Sequence, residues 1–381
     1  MPLFRFPTSA IRPVAVLAAA ITLALLAACA GNERPKPTPL TPVLPRLAVQ
    51  LSWTSHLGLV DFPLAVKVVG GTAYVADSAG TVAAIDGASG ADVWRAQING
   101  GITAGVGSDG RYTAVVSAAN DLVVLDKGSV LWRQHLTAMT LTAPLVAGAR
   151  VFTLAADRTI TAFDAGNGRQ LWQQTRSSDA LVLGQSTLLT AVGDTLVVGQ
   201  GGRVQGLNPG TGLTLWEVAV ATSRGTNEVE RLADVVSVFY RDGDQICVRA
   251  FQYTVSCLNA RSGKLLWSKA AVGGVGVAGD ATGIFATEAD GRLIAYEKSD
   301  GTKRWQYDGL KFHTLSAPLV VGKAMVFGDE NGNLHFFSTS DAEPINRLRT
   351  DDSAVVTTPV MAGKRLLAVT RNGGVFAFRS E

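Results

Sequence analysis

The sequence predicts an all-β protein: an eight-bladed β-propeller of four-stranded antiparallel blades, with its ring closed by the amino-terminal strand. Three observations predict it. Tryptophans recur at Trp53, Trp94, Trp132, Trp172, Trp216, Trp267 and Trp305, with gaps of 41, 38, 40, 44, 51 and 38 residues, and a period near forty fits one four-stranded blade per repeat. One phrase precedes most of them: an alternating apolar run, an Asp, Asn or Glu eight residues before the Trp (Asp86, Asp164, Asn208, Asn259, Glu297), and a Gly four residues before it. Apolar residues make up 47% of the chain and charged ones only 17%, with 41 Gly, a composition suited to a folded core with many tight turns and unlike that of a disordered chain.

At the amino terminus, Arg5 and Arg12 precede an uncharged stretch from Val14 to Ala28, the pattern of a secretory signal. The stretch is short for a spanning helix of about 20 residues. It runs into Leu26-Ala27-Ala28-Cys29, which resembles the bacterial lipobox. That resemblance implies a signal peptide over residues 1–28, lipidation at Cys29, and an anchor made of acyl chains. Ala30 follows the cysteine where an Asp would imply inner-membrane retention, so the expected location is the periplasmic face of the outer membrane. Removing Arg5 and Arg12 leaves 32 basic against 31 acidic side chains, a balance that argues against a nucleic-acid binder driven by bulk charge. Residues 29–46 hold Pro35, Pro37, Pro39, Pro42 and Pro45 and read as a lipid-bearing terminus followed by a semi-rigid spacer.

Residues 47–381 are assigned to the propeller. In each repeat the alternating run is a strand, the Asp/Asn-x-x-x-Gly a tight turn and the Trp segment the next strand. Two further short strands lie upstream, such as those around Ala73 and Val151. Seven units end at Trp94, Trp132, Trp172, Trp216, Trp267, Trp305 and Asn346, the last a degenerate position fourteen residues after Gly332. An eighth unit begins near Val360 and stops at Glu381, before its Trp strand. The strand around Leu51-Ser52-Trp53 is expected to complete it, leaving the ring no open edge.

Little in the chain suggests catalysis. His56, His135, His313 and His335 are scattered without metal-ligand spacing, and each reads as a surface or blade-edge residue. The Gly-rich run from Val272 to Gly279 lacks the following helix of a dinucleotide loop and reads as a turn entering a strand. Cys247 and Cys257 fall opposite one another if Ile246–Ala250 and Thr254–Cys257 form a hairpin around Phe251-Gln252-Tyr253, so a cross-strand disulfide is expected in an oxidising compartment.

The repeat resembles that of quinoprotein (PQQ-type) propellers, which two families with unrelated functions share. Quinoprotein dehydrogenases carry long insertions, a Ca²⁺ site and often adjacent cysteines, none of which this sequence displays. A PQQ-dependent oxidoreductase, or a PQQ- or ligand-binding propeller, is therefore the alternative. The whole length resembles the BamB family of outer-membrane protein assembly factors, and Thr226-Asn-Glu228-Val-Glu230-Arg231-Leu232-Ala-Asp234-Val235 is similar to a connecting phrase of that family. The resemblance implies a non-enzymatic lipoprotein scaffold with no cofactor or metal. It would bind periplasmic POTRA domains of the BamA insertase, together with other subunits of the β-barrel assembly (BAM) machinery and unfolded outer-membrane proteins. The two longest gaps flank the blade ending at Trp216, and extra length in connections points to binding. There Leu181 and Leu183 match the family's contact leucines, Asp234 matches a contact acid, and Glu228 and Arg231 join the expected partner-binding set. Val236 stands where the family has a second acid, and Gly184 where it has an arginine.

Overall fold

The computed structural model describes residues 35–176, 181–222, 227 and 232–380. Among these, thirty-two strands form eight four-stranded antiparallel sheets. Blade 1 comprises Lys67–Val69, Thr72–Ala76, Thr81–Asp86 and Asp92–Gln97 in spatial order. Its two middle strands are apolar without alternation because both faces are covered, whereas Asp92–Gln97 alternates because only one is. Blades 2 to 7 repeat the arrangement and end in Ser129–His135, Gln170–Gln174, Thr214–Ala219, Leu265–Ala270, Lys303–Tyr307 and Pro344–Arg349. Blade 8 takes Val360–Ala362, Arg365–Val369 and Gly374–Ser380 from the carboxyl end and its outermost strand, Val49–His56, from the amino end. Val49 pairs with Ser380 and His56 with Gly374, so the ring closes as the sequence predicts.

The core is distributed among the junctions between blades. Phe152, Leu154 and Ile160 of blade 3 pack on Leu196, Val198 and Leu207 of blade 4, and the other junctions are filled in the same way. The repeated tryptophan stands at every junction except that between blades 7 and 8. Trp53, Trp132, Trp172, Trp267 and Trp305 donate their indole N–H to Gly87, Ala165, Pro209, Lys298 and Thr339 carbonyls in the turn of the following blade, at 2.8–3.1 Å. An aromatic body is thereby buried while its polar atom is satisfied. Gly90 shows why the turn needs glycine: φ is +78°, and a Cβ there would approach the Trp53 ring to 2.5 Å.

Asn346 is degenerate for a physical reason. The receiving turn in blade 8 would have to join Gly374–Ser380 to Val49–His56, and these belong to opposite ends of the chain. With no turn to receive an indole, the buried Asn346 donates from Nδ2 to the Leu47 carbonyl at 2.8 Å.

The spacer reading needs correction from Thr38 onward. The chain divides into units 1–37 and 38–381, and in the second unit residues 38–47 form a strap bound along blades 6 and 7. Thr38 N–H donates to Lys311 O, Arg46 N–H to Ile345 O, and Arg347 Nη1 to Thr41 O at 3.0 Å. Leu40 packs on the cluster containing Phe285, Phe327 and Phe337. An extended proline-rich segment leaves its carbonyls unpaired, so side-chain donors can hold it without a sheet.

Two histidines also differ from expectation, since His313 and His335 are buried. His313 bridges Glu330, at 2.8 Å from Nδ1, and the Thr38 carbonyl, to which Nε2 donates at 2.8 Å. His335 meets Asp329 at 2.8 Å through Nε2, and its Nδ1 accepts from Arg347 Nε at 3.4 Å. That pattern suits a neutral ring, and burial pushes His335 below its ordinary value despite Asp329 beside it. Burial raises Asp329, but hydrogen bonds from His335 and Asn333 outweigh it and hold the carboxyl below its ordinary range.

Candidate partner-docking site

The connections entering blades 4 and 5, residues 175–188 and 220–239, are fourteen and twenty residues long, against four to eleven at the other junctions. The extra length inferred from the tryptophan gaps therefore lies in connections. The first is anchored at both ends. At the outer end Arg176 forms a two-pronged contact with Glu217, at 2.6 and 3.1 Å, which Arg203 shares; the Arg176 hydrogen bond is the main reason that Glu217 lies below its ordinary value. At the inner end Leu188 N–H donates to Val235 O and Ser237 N–H to Ser186 O, so the two connections zip together over a few residues.

Asp234 is the hub between them. Its carboxylate is about 1% exposed and pairs with the buried Arg158 Nη1 at 2.5 Å. It also accepts the Gly201 N–H at 3.1 Å and the Leu183 N–H at 3.0 Å. Leu181 and Leu183 lie outside any strand and are half-buried. In this structure the acid is enclosed, and one of its oxygens holds the backbone at Leu183. Val236, at the place of the second acid, is buried too and bridges Thr187. Glu228, Arg231 and the lipidation position Cys29 lie outside the described residues.

Sequence reasoning missed Arg158, although a signal was present. Fourteen residues before the tryptophan or its substitute, blades 1, 6 and 7 have Gly80, Gly291 and Gly332, each with positive φ, and Arg158 occupies the same place with φ +68°. An arginine in a left-handed position costs about 1–2 kcal/mol, and here the strain accompanies a buried ion pair between residues 76 apart.

Cys247 and Cys257 stand opposite one another in the Gln245–Ala250/Thr254–Asn259 hairpin, with Cα atoms 4.0 Å apart and sulfurs joined. A central cavity of about 1220 Å³ is lined by first strands and connection ends, among them Gln185–Thr187, Leu189, Thr190 and Val236–Phe239. Among the described residues, no three His, Cys, Asp or Glu side chains are grouped to hold a metal ion, and no helix is long and apolar enough to cross a membrane.

Fold and repeat define a propeller of the PQQ-like repeat class. A quinohemoprotein alcohol dehydrogenase from Comamonas testosteroni shares that architecture, with a TM-score of 0.67 at 15% identity over 96% of this chain and 84% of that one, a likeness of fold alone. The family model described as outer membrane protein assembly factor BamB matches residues 78–307 and 254–381. The chain belongs to that family. It is similar to the outer membrane protein assembly factor BamB of Burkholderia pseudomallei, 35% identical over 97% of this chain and 98% of the relative, and to that of Bordetella pertussis, 30% identical over 92% of each. The crystal structure of BamB from Moraxella catarrhalis superposes with a TM-score of 0.79 at 21% identity, covering 87% of this chain and 99% of that one.

Proposed function

We propose that this protein is a non-catalytic scaffold of the β-barrel assembly machinery, tethered by lipid at Cys29 to the periplasmic face of the outer membrane. It docks on POTRA domains of the barrel insertase and positions them, or unfolded barrel proteins, for insertion. Family membership supports the assembly role. The observation that carries the docking site is that Leu181 and Leu183 lie outside any strand, on a connection clamped at both ends, by Arg176–Glu217 and by Asp234. A clamped apolar pair loses little freedom on binding, the condition under which a few side chains dominate an interface.

Replacing both leucines, Leu181→Arg with Leu183→Arg, should abolish recovery of the insertase with the detergent-solubilised lipoprotein while leaving its melting curve close to wild type. Undiminished recovery would reject the site. In an oxidising periplasm the Cys247–Cys257 bond is expected to be complete, so protein denatured without reductant should show neither thiol reactive. Two reactive thiols would exclude it.

A further inference from the structure

A second buried ion pair repeats the design of Arg158–Asp234. Arg249 Nη2 meets Glu288 Oε1 at 2.7 Å, with both side chains enclosed. The other Glu288 oxygen accepts the Val272 N–H at 2.6 Å, just as the second Asp234 oxygen accepts that of Leu183. In each case a neutralised carboxylate grips the backbone of a connection at an apolar residue. Gly273 completes the second platform: a Cβ there would come within 2.0 Å of Arg249 Nη1, so glycine is what allows the backbone to press onto the buried pair. Val272 is consequently held in place yet 52% exposed, on a connection of only six residues, 271–276.

The two platforms are also joined. Gln185 Nε2, two residues beyond Leu183, donates to the Gly274 carbonyl at 3.1 Å, and Val236 N–H donates to the Arg249 carbonyl. The connections entering blades 4, 5 and 6 therefore form one continuous hydrogen-bonded surface. The buried charges at the two platforms are paired, and the residues gripped over them, Leu183 and Val272, are apolar.

We propose that Val272 is a further contact of the docking surface, which extends across the connection entering blade 6. The proposal rests on the docking function above and commits to one occupant: the periplasmic domain that seats on Leu181 and Leu183, meeting Val272 with an uncharged apolar patch. Contact of that kind responds weakly to ionic strength. The test is co-purification of the insertase with the full-length lipoprotein carrying Val272→Glu, Val272→Leu, the double leucine replacement, or Val93→Glu. Val93 is a control, 59% exposed on the outermost strand of blade 1.

Recovery should fall about tenfold for Val272→Glu, return with Val272→Leu, and be unaffected by Val93→Glu. If Val272→Glu binds like wild type while the double leucine replacement does not, the extension fails and the docking function stands. If the double leucine replacement binds like wild type, both fail. Equal losses from Val272→Glu and Val93→Glu would trace the effect to added surface charge and overturn the proposal.

Discussion

Two regions of the ring depart from the repeat, and they do so for different reasons. At the seam between blades 7 and 8, Asn346 replaces a tryptophan and the strap at residues 38–47 supplies the carbonyl that a turn would have supplied. Around blade 4, Arg158 replaces a glycine and pairs with Asp234. The first departure is forced by closure, because the two outer strands of blade 8 come from distant stretches of the chain and no tight turn joins them. The second has no such origin: blades 1, 6 and 7 carry glycine at that place, and the junctions other than those entering blades 4 and 5 have shorter connections. Irregularity explained by topology says nothing of function, and irregularity that topology leaves unexplained is where a partner is to be sought.

The comparison is broken most forcefully at Arg158. Arg158→Met strands Asp234 as a buried unpaired charge, and urea unfolding should show a loss of about 3–5 kcal/mol. Adding Asp234→Asn should return much of that loss, since the amide oxygen still accepts the Leu183 N–H while no charge remains. A loss that persists undiminished in the double variant would mean that the pair is not the hub described. At the seam, Asn346→Ala removes one buried donor and leaves the Leu47 carbonyl unpaired, which should cost about 1–3 kcal/mol in the same assay. An effect as large as that at Arg158 would put the two irregularities on an equal footing.

Acid should act more gently, through His335 against Phe327 and Phe337 on the side of blade 7 that faces blade 6. The folded-state value of His335 lies below its ordinary 6.5, so the unfolded chain takes up the proton first. Stability is then complete above about pH 6.5 and declines as pH falls below it, by about 1.4 kcal/mol for each unit between the folded and unfolded values. Asp329 works over a lower range, because its contribution is lost only as pH falls through its depressed value. Unfolding midpoints at pH 7.5 and 5.5 should therefore converge in His335→Gln. An unchanged pH dependence in that variant would place the acid-sensitive group elsewhere.

The legible parts of this molecule were those written locally. A hairpin register follows from a short stretch, which is why Cys247 falls opposite Cys257, and seven tryptophans at one period reveal a ring. The strand Val49–His56 could be assigned to blade 8 because the last repeat visibly lacks a strand. The hub was not legible, since no spacing rule links Arg158 to an acid 76 residues away; only its place in a glycine position could have drawn notice. The strap was misread because a proline-rich segment has the same sequence pattern whether free or bound. Val272 was hidden by its neighbours, as a glycine-rich run suggests a turn and not the platform that Gly273 makes over Arg249.

The pairing of Val49–His56 with Gly374–Ser380 also sets an order in time. Chains are made from the amino end, and strands contiguous in sequence pair soonest. Blades 1 to 7 can each assemble from their own forty residues as these arrive, while Val49–His56 must wait with an unpaired edge for a partner more than three hundred residues later. The final seven-residue strand thus acts as a test of completion: a chain cut short anywhere before Gly374 keeps an open blade, and such an edge is open to aggregation.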